Sequence, residues 1–217
     1  MNNISGVLFD LDGTLADTAP DLAYALNETL KLNNKAPLPF EKIRPVVSHG
    51  GIALIKLGFG FGPEEEKYES VRQQLLDIYL ENIARETRLF PGVSELLAAL
   101  ENKHLPWGIV TNKPGWLTNP LMDKLNLSQR AACIVSGDTV SKNKPHPEPM
   151  YYACKQANIV PEKCIYVGDA ERDIAAGRAA GMKTVAALFG YLLENDNPSD
   201  WQADYTINHP LELLEII

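Results

Sequence analysis

The sequence predicts an α/β fold: a Rossmann-like, doubly wound, mostly parallel sheet, with an α-helical domain inserted near its start. Three observations predict it. From about residue 93 onward, short apolar runs alternate with amphipathic stretches, the pattern of strands and helices taken in turn. The run Val7-Leu8-Phe9 has the texture of those later strands, continuous and apolar, as in a strand buried on both faces. Between them, residues 20 to 88 carry helical periodicity.

Taken in order, residues 4–9 (ISGVLF) read as the first strand. Leu22, Leu26 and Leu30 then recur every fourth position after Ala19-Pro20-Asp21, a helix start signal, and Asn33-Asn34-Lys35-Ala36-Pro37 breaks that helix. A short helix is expected over 50–58, entered through Gly50 and Gly51. Pro63 is expected to open a longer one, with Tyr68, Val71, Leu75, Ile78 and Tyr79 on one stripe that reads as core. After Phe90-Pro91-Gly92 come a helix over 93–103, a strand at Trp107–Val110, a helix near 115–126 and a strand at Ala132–Val135. A helix at 148–158, a strand at Cys164–Val167, a helix at 172–181 and strands at Thr184–Ala187 and Tyr205–Ile207 complete the pattern. The expected division is a core of residues 1–15 and 89–217, with residues 16–88 as a helical cap domain.

The chain has 217 residues, 45% hydrophobic and 22% charged, with a formal net charge of −8. That is ordinary for a globular domain with a sizeable core. The acidic balance argues against nucleic acid as a partner and means that an anionic substrate must be met by a local basic site or a metal. Cys133, Cys154 and Cys164 form no CxxC pair and read as buried thiols of a reducing compartment. The opening MNNISGVLFD has neither a basic region nor a long apolar stretch, and no run of eighteen apolar residues follows. The expectation is a cytoplasmic protein with no membrane partner. No signal for an oligomeric state is visible.

In an open α/β sheet, ligands bind beyond the carboxyl ends of the strands. There the first strand is followed by Asp10-Leu11-Asp12-Gly13-Thr14, and the second by Thr111-Asn112-Lys113. Ser141-Lys142-Asn143-Lys144-Pro145-His146-Pro147 lies near the end of the third, and Gly168-Asp169, with Asp173 four residues on, follows the fourth. Gathering several carboxylates and a lysine at one edge costs stability, so a charge-balancing ligand is implied. A calcium loop does not fit: counted from Asp10, glycine falls at position 4 and Asp21 at position 12. A glycine-rich dinucleotide loop is also missing from this turn. Asp173 also reads as a helix cap, Thr111 as an N-cap, and Lys144 as a solvated lysine with Lys142 in its place. His146, His104 and His209 read as solvent-facing.

In this order on alternating strands and helices, DxDGT, TN, KP and GDxxxD resemble the haloacid dehalogenase superfamily of aspartyl-nucleophile phosphatases. The insertion after the first motif resembles that family's helical cap. The resemblance implies a magnesium-dependent phosphomonoester hydrolase acting on a small-molecule phosphate ester. It implies Asp10 as nucleophile and metal ligand. Asp12 would be the general acid and then base, with its backbone carbonyl on the metal. Asp169 would be a direct ligand, and Asp173 would support the Mg2+ site, directly or through water. Thr111 would hydrogen-bond the phosphoryl group with help from the Asn112 backbone, and Lys144 would neutralise its charge. Gly13 would permit a tight turn and a close backbone approach. Dehalogenases of the superfamily generally lack the second aspartate, so Asp12 disfavours that activity. A phosphomutase of the β-phosphoglucomutase kind keeps all four motifs and stays open. So does a catalytically silent binding protein of this fold, although such proteins usually lose a carboxylate.

Thr111-Asn112-Lys113 is similar to phosphoglycolate phosphatases, which places Lys113 with the substrate. Ser48-His49-Gly50-Gly51 at a helix start is either a plain turn or a backbone site for an anion such as a carboxylate, which adds His49, Gly50 and Gly51 to the substrate-binding set. Trp107–Pro114, Lys144–Pro149 and a tail containing Trp201 and His209-Pro210-Leu211-Glu212-Leu213 look like the N-acetylmuramic acid 6-phosphate phosphatases of peptidoglycan recycling. The two substrates stand near even, with the muramic acid ester slightly ahead.

Overall fold

The apolar run near the start becomes the middle of the sheet. In the computed structural model, which describes residues 4–217, β1 (Gly6–Phe9) is fully buried. A two-residue strand β2 (Ala16–Asp17) leads into α1 (Ala19–Leu32), α2 (Phe40–Ile43), a 3-10 segment over Arg44–His49, α3 (Gly50–Phe59) and α4 (Tyr68–Glu81). The chain returns through β3 (Arg88–Leu89) and alternates: α5 (Val93–Asn102), β4 (Trp107–Val110), α6 (Gly115–Lys124), β5 (Ile134–Val135), α7 (Glu148–Ala157), β6 (Cys164–Gly168), α8 (Glu171–Ala179), β7 (Lys183–Ala187) and β8 (Tyr205–Ile207).

The six core strands run in the order β5-β4-β1-β6-β7-β8, and every pairing is parallel. Val7 faces Trp107 on one side and Ile165 on the other. Alternate residues point to opposite faces. Val7 and Phe9 therefore enter a core with Leu96, Leu97 and Leu121, while Leu8 enters one with Met150, Cys154 and Tyr166. Because β1 has β4 on one side and β6 on the other, the loops leaving these strands diverge, and a crevice opens at their carboxyl ends.

The four helices between β2 and β3 pack on one another, α1 lying against α3 and α4. Gly58 lets α3 approach α1: a Cβ there would come within 3.1 Å of Leu26 and 3.2 Å of Leu30. Buried Asp21 ties the two ends of the insertion together. Its carboxylate accepts from the amides of Glu86 and Thr87 and from the Thr87 hydroxyl, at 2.7 to 3.2 Å.

Three local expectations change. α4 begins at Tyr68 and not at Pro63, because the Glu64 carboxylate takes the Gly62 amide (3.0 Å) and folds that stretch into turns. The strand expected from Ala132 shortens to Ile134–Val135, although single backbone bonds persist from Ala132 to Trp107 and from Ile109 to Cys133. The antiparallel ribbon of β2 and β3 was not anticipated. Among the described residues no helix is long and apolar enough to cross a membrane.

Candidate active site

Each strand of the crevice delivers one part of the site. At the end of β1, the Asp10 amide donates to Val167 O (2.9 Å), which fixes the turn that follows. Gly13 takes a positive φ of 85°, and a side chain there would collide with the Asp169 carboxylate. Asp169 follows β6 and Asp173 lies in the first turn of α8; Asp10, Asp169 and Asp173 are all buried. One carboxylate oxygen from each lies within 4.8 Å of the others.

A single lysine sits among them. The Lys144 side chain is 0% exposed, with Nζ 2.9 Å from Asp10 Oδ1 and 2.7 Å from Asp173 Oδ1. Its directed hydrogen bonds go instead to Val110 O (2.9 Å) and the Tyr166 hydroxyl (2.8 Å). Asp10 Oδ1 and Asp173 Oδ1 thus touch the ammonium yet accept no directed bond. Lys144 is placed by Asn112, whose carboxamide accepts from the Lys144 amide (3.1 Å) and donates to its carbonyl (3.0 Å). The competing lysine, Lys142, is exposed, as are His146, His104 and His209. Asp173 combines both of its readings: Oδ1 meets Lys144, and Oδ2 accepts from the Ala170 amide (3.0 Å) as a helix-start contact. Thr111 is not the N-cap of α6, a place held by Pro114; its hydroxyl accepts from the Lys113 amide (3.2 Å).

Three buried carboxylates against one lysine leave an excess of negative charge. Burial pushes the Asp10 carboxyl up, Lys144 pulls it back, and Asp173 pushes it up again; the balance is a raised pKa. Burial, then Asp10 and Asp173, push Asp169 up to about 7. An all-oxygen set of three buried carboxylates that share one ammonium suits a hard divalent cation, which relieves the remaining repulsion. The residues present fit Mg2+.

Asp12 stands apart from that cluster. Its Oδ1 accepts from Thr18 Oγ1 (2.6 Å) and from Lys113 Nζ (2.8 Å), and Oδ2 has no protein partner among the described residues. Burial works against the Lys113 charge, but Asp12 outweighs it and holds the ammonium above the ordinary lysine value. The same ammonium lies 4.7 Å from the centre of the Tyr79 ring. Burial pushes the Tyr79 phenol up to about 12. The stripe read as core on α4 is core over Tyr68 and Val71, but at Leu75 and Tyr79 it also forms, with the neighbouring Leu76, a wall of the site.

These groups line one cavity of about 500 Å³ between sheet and helices. Asp10, Asp12, Thr111, Asn112 and Lys113 lie along it together with His49, Gly50 and Gly51. Lys144 is behind Asp10, and Gly13 lies under Asp169; these two, like Asp169 and Asp173, lie outside the cavity lining. Burial, then Arg172, lower the His49 pKa. Two contacts across this cleft were missed from sequence. Ser48 Oγ donates to Asp169 Oδ2 (2.7 Å), and Arg172 Nη2 donates to the Ser48 carbonyl (2.7 Å). Arg172 carried a signal, a cation between Asp169 and Asp173 in the chain, that charge counting alone could have raised.

The comparisons agree with this geometry. Residues 7–187 match the model of the haloacid dehalogenase-like hydrolases. The N-acetylmuramic acid 6-phosphate phosphatase of Pseudomonas aeruginosa is 41% identical over 214 residues, 99% of this chain and 95% of that protein. A phosphoglycolate phosphatase of Xanthomonas campestris pv. campestris is also 41% identical, over 96% of this chain and 94% of its own length. The crystal structure of a predicted phosphoglycolate phosphatase from Haemophilus somnus 129pt superposes with a TM-score of 0.88 at 28% identity, covering 100% of this chain and 99% of that one. Such agreement over almost the whole length, with all four motifs at one crevice, leads to one conclusion: the chain belongs to the haloacid dehalogenase-like hydrolase family and is a phosphatase of it.

Proposed function

We propose that the protein hydrolyses a small acidic phosphomonoester through an aspartyl-phosphate on Asp10, with Asp12 moving the protons. The observation that carries this is the buried cluster of Asp10, Asp169, Asp173 and Lys144 at the strand ends, with Asp12 held separately across the cavity. Asp10, Asp169 and Asp173, with the Asp12 carbonyl, would hold Mg2+, which when bound offsets the repulsion between a carboxylate and a phosphate dianion.

Asp10 attacks phosphorus, and the bond from phosphorus to the substrate alcohol breaks. The departing oxygen takes the proton of the Asp12 carboxyl. Water then attacks the aspartyl-phosphate and gives a proton to the Asp12 carboxylate, so free phosphate leaves and both aspartates return to their starting states. Thr18 and Lys113 fix Asp12 through one oxygen and leave the other for these transfers. Thr111 and Lys144 meet the charge of the transferring group, and Asn112 acts by holding Lys144. His49, Gly50 and Gly51 face the rest of the substrate. Residues 16–88 serve as a cap domain that closes over the site and excludes water before attack.

Of the two substrates that relatives' names offer, N-acetylmuramic acid 6-phosphate is favoured over 2-phosphoglycolate. A cavity of about 500 Å³ with leucines in its wall suits a hexose-sized ester; a two-carbon acid would leave that wall against water. Buried free thiols fit a cytoplasmic protein. The test is kcat/KM with magnesium on both esters and on neutral sugar phosphates. A preference of at least roughly a hundredfold for the muramic acid ester, about 2.7 kcal/mol, is expected. An equal preference for 2-phosphoglycolate would overturn the choice of substrate, and the absence of magnesium-dependent phosphate release would overturn the function.

A further inference from the structure

Two arginines line the cavity without a part in the hydrolytic steps; Arg72 is paired with Glu69 (3.0 Å), and Arg172 is not paired in this way. It stands at the start of α8, and its side chain reaches across to the helical segment, where Nη2 donates to the Ser48 carbonyl (2.7 Å). A guanidinium has five N–H donors. Among the described residues this is its only directed hydrogen bond, and it forms no ion pair. A guanidinium stays charged at any ordinary pH. A partly buried cation with most of its donors unused and facing a cavity calls for an anion.

The phosphoryl end of the cavity already has its partners in Thr111 and Lys144. Arg172 lies instead with His49, Gly50 and Gly51, where α3 begins; the Gly50 amide already donates to Val47 O, and the amides that follow it open the helix. No Cβ would meet a neighbour within 4 Å at either glycine, so a ligand has room there. A planar fork of N–H groups matches a carboxylate through two parallel bonds.

We propose that Arg172, with the amides that open α3, binds a carboxylate carried by the alcohol part of the substrate, so that the ester is held as an anion at both ends. This rests on the phosphatase reading of the same site. Since Arg172 also holds the Ser48 carbonyl, a bound carboxylate ties the helical segment to the sheet over the reacting phosphate.

Two matched pairs of esters test it: N-acetylmuramic acid 6-phosphate against N-acetylglucosamine 6-phosphate, and 2-phosphoglycolate against ethyl phosphate. In each pair the second member lacks the carboxylate. The wild type should favour the acid in at least one pair by about tenfold to a hundredfold in kcat/KM. Arg172→Gln should lose most of that ratio, the acid ester falling much further than the neutral one, and Arg172→Lys should keep part of it. A ratio unchanged in Arg172→Gln overturns the proposal. So does an equal fall for acid and neutral esters, which would place Arg172 on the phosphoryl group or in a purely structural contact. The wild-type ratio is a second test that needs no variant to fold, because absence of acid preference in both pairs overturns the proposal alone. Turnover of none of the four esters would sink the hydrolase reading along with it.

Discussion

At the scale of single residues, the site is a balance of charge that one lysine holds. Lys144 touches two carboxylates while spending its hydrogen bonds on Val110 and Tyr166, so it supplies charge more than directed contacts. Lys144→Met should lower the metal-free stability by about 3–5 kcal/mol, the usual cost of leaving buried charge uncompensated. Added magnesium should recover part of the loss. Denaturant unfolding with and without the metal checks this, and an unchanged midpoint would show that the pair is idle. The places of Asp10 and Asp169 at the crevice were legible in the sequence because each directly follows a strand, where an aspartate has no packing reason to be, and Asp12 was legible as the neighbour of Asp10, two residues on. Arg172 and Ser48 were not, because their meaning lies in a contact between residues 124 positions apart. Asn112 was legible in position, and the structure adds a contact that the sequence could not show: its side chain holds the Lys144 backbone.

At the scale of elements, the helical insertion is joined to the sheet by a ribbon too short to announce itself. Two residues per strand give no alternation to read, so β2 and β3 are visible only once residues 16 and 89 are neighbours in space. Asp21 keeps that junction closed. Asp21→Ala would strip acceptors from two backbone amides and a hydroxyl, and should cost about 2 kcal/mol. Thermal unfolding measures that cost; a melting temperature equal to the wild type's would mean the junction is held otherwise. On the opposite face of the sheet, the thiols report how well α7 and α8 cover it. Burial pushes the Cys133 thiol up to about 12, and Cys154 and Cys164 are buried beside it. At pH 8 an alkylating reagent should label none of the three in the native protein and all three in denaturant. Rapid native labelling would contradict the packing of that layer. The core strands and helices were readable from periodicity. The start of α4 was not, because proline marks where a helix is permitted, and the turn made by Glu64 decides where it begins.

At the scale of the whole molecule, the sheet holds the chemistry still and the insertion roofs it. Tyr79 on α4 lies against Lys113, Ser48 reaches Asp169, and Arg44 stacks on the Tyr191 ring at 4.8 Å, so polar and aromatic contacts join the roof to the sheet beside a continuous apolar core. The helical stretch between β2 and β3 was visible in the sequence as a change of texture at about residues 20 and 88. The size of the cavity between the two parts was not, since it depends on how the helices lean on the sheet.

The central claim is that Asp10 carries the phosphoryl group in a magnesium-dependent hydrolysis. Phosphate release from N-acetylmuramic acid 6-phosphate, measured with and without magnesium for the wild type and for Asp10→Asn, tests it most directly. The account predicts release by the wild type that stops when magnesium is chelated, and a fall of about a thousandfold or more in Asp10→Asn with an unchanged circular-dichroism spectrum. An Asp10→Asn enzyme that keeps most of the wild-type rate, or a wild type indifferent to magnesium, would contradict it.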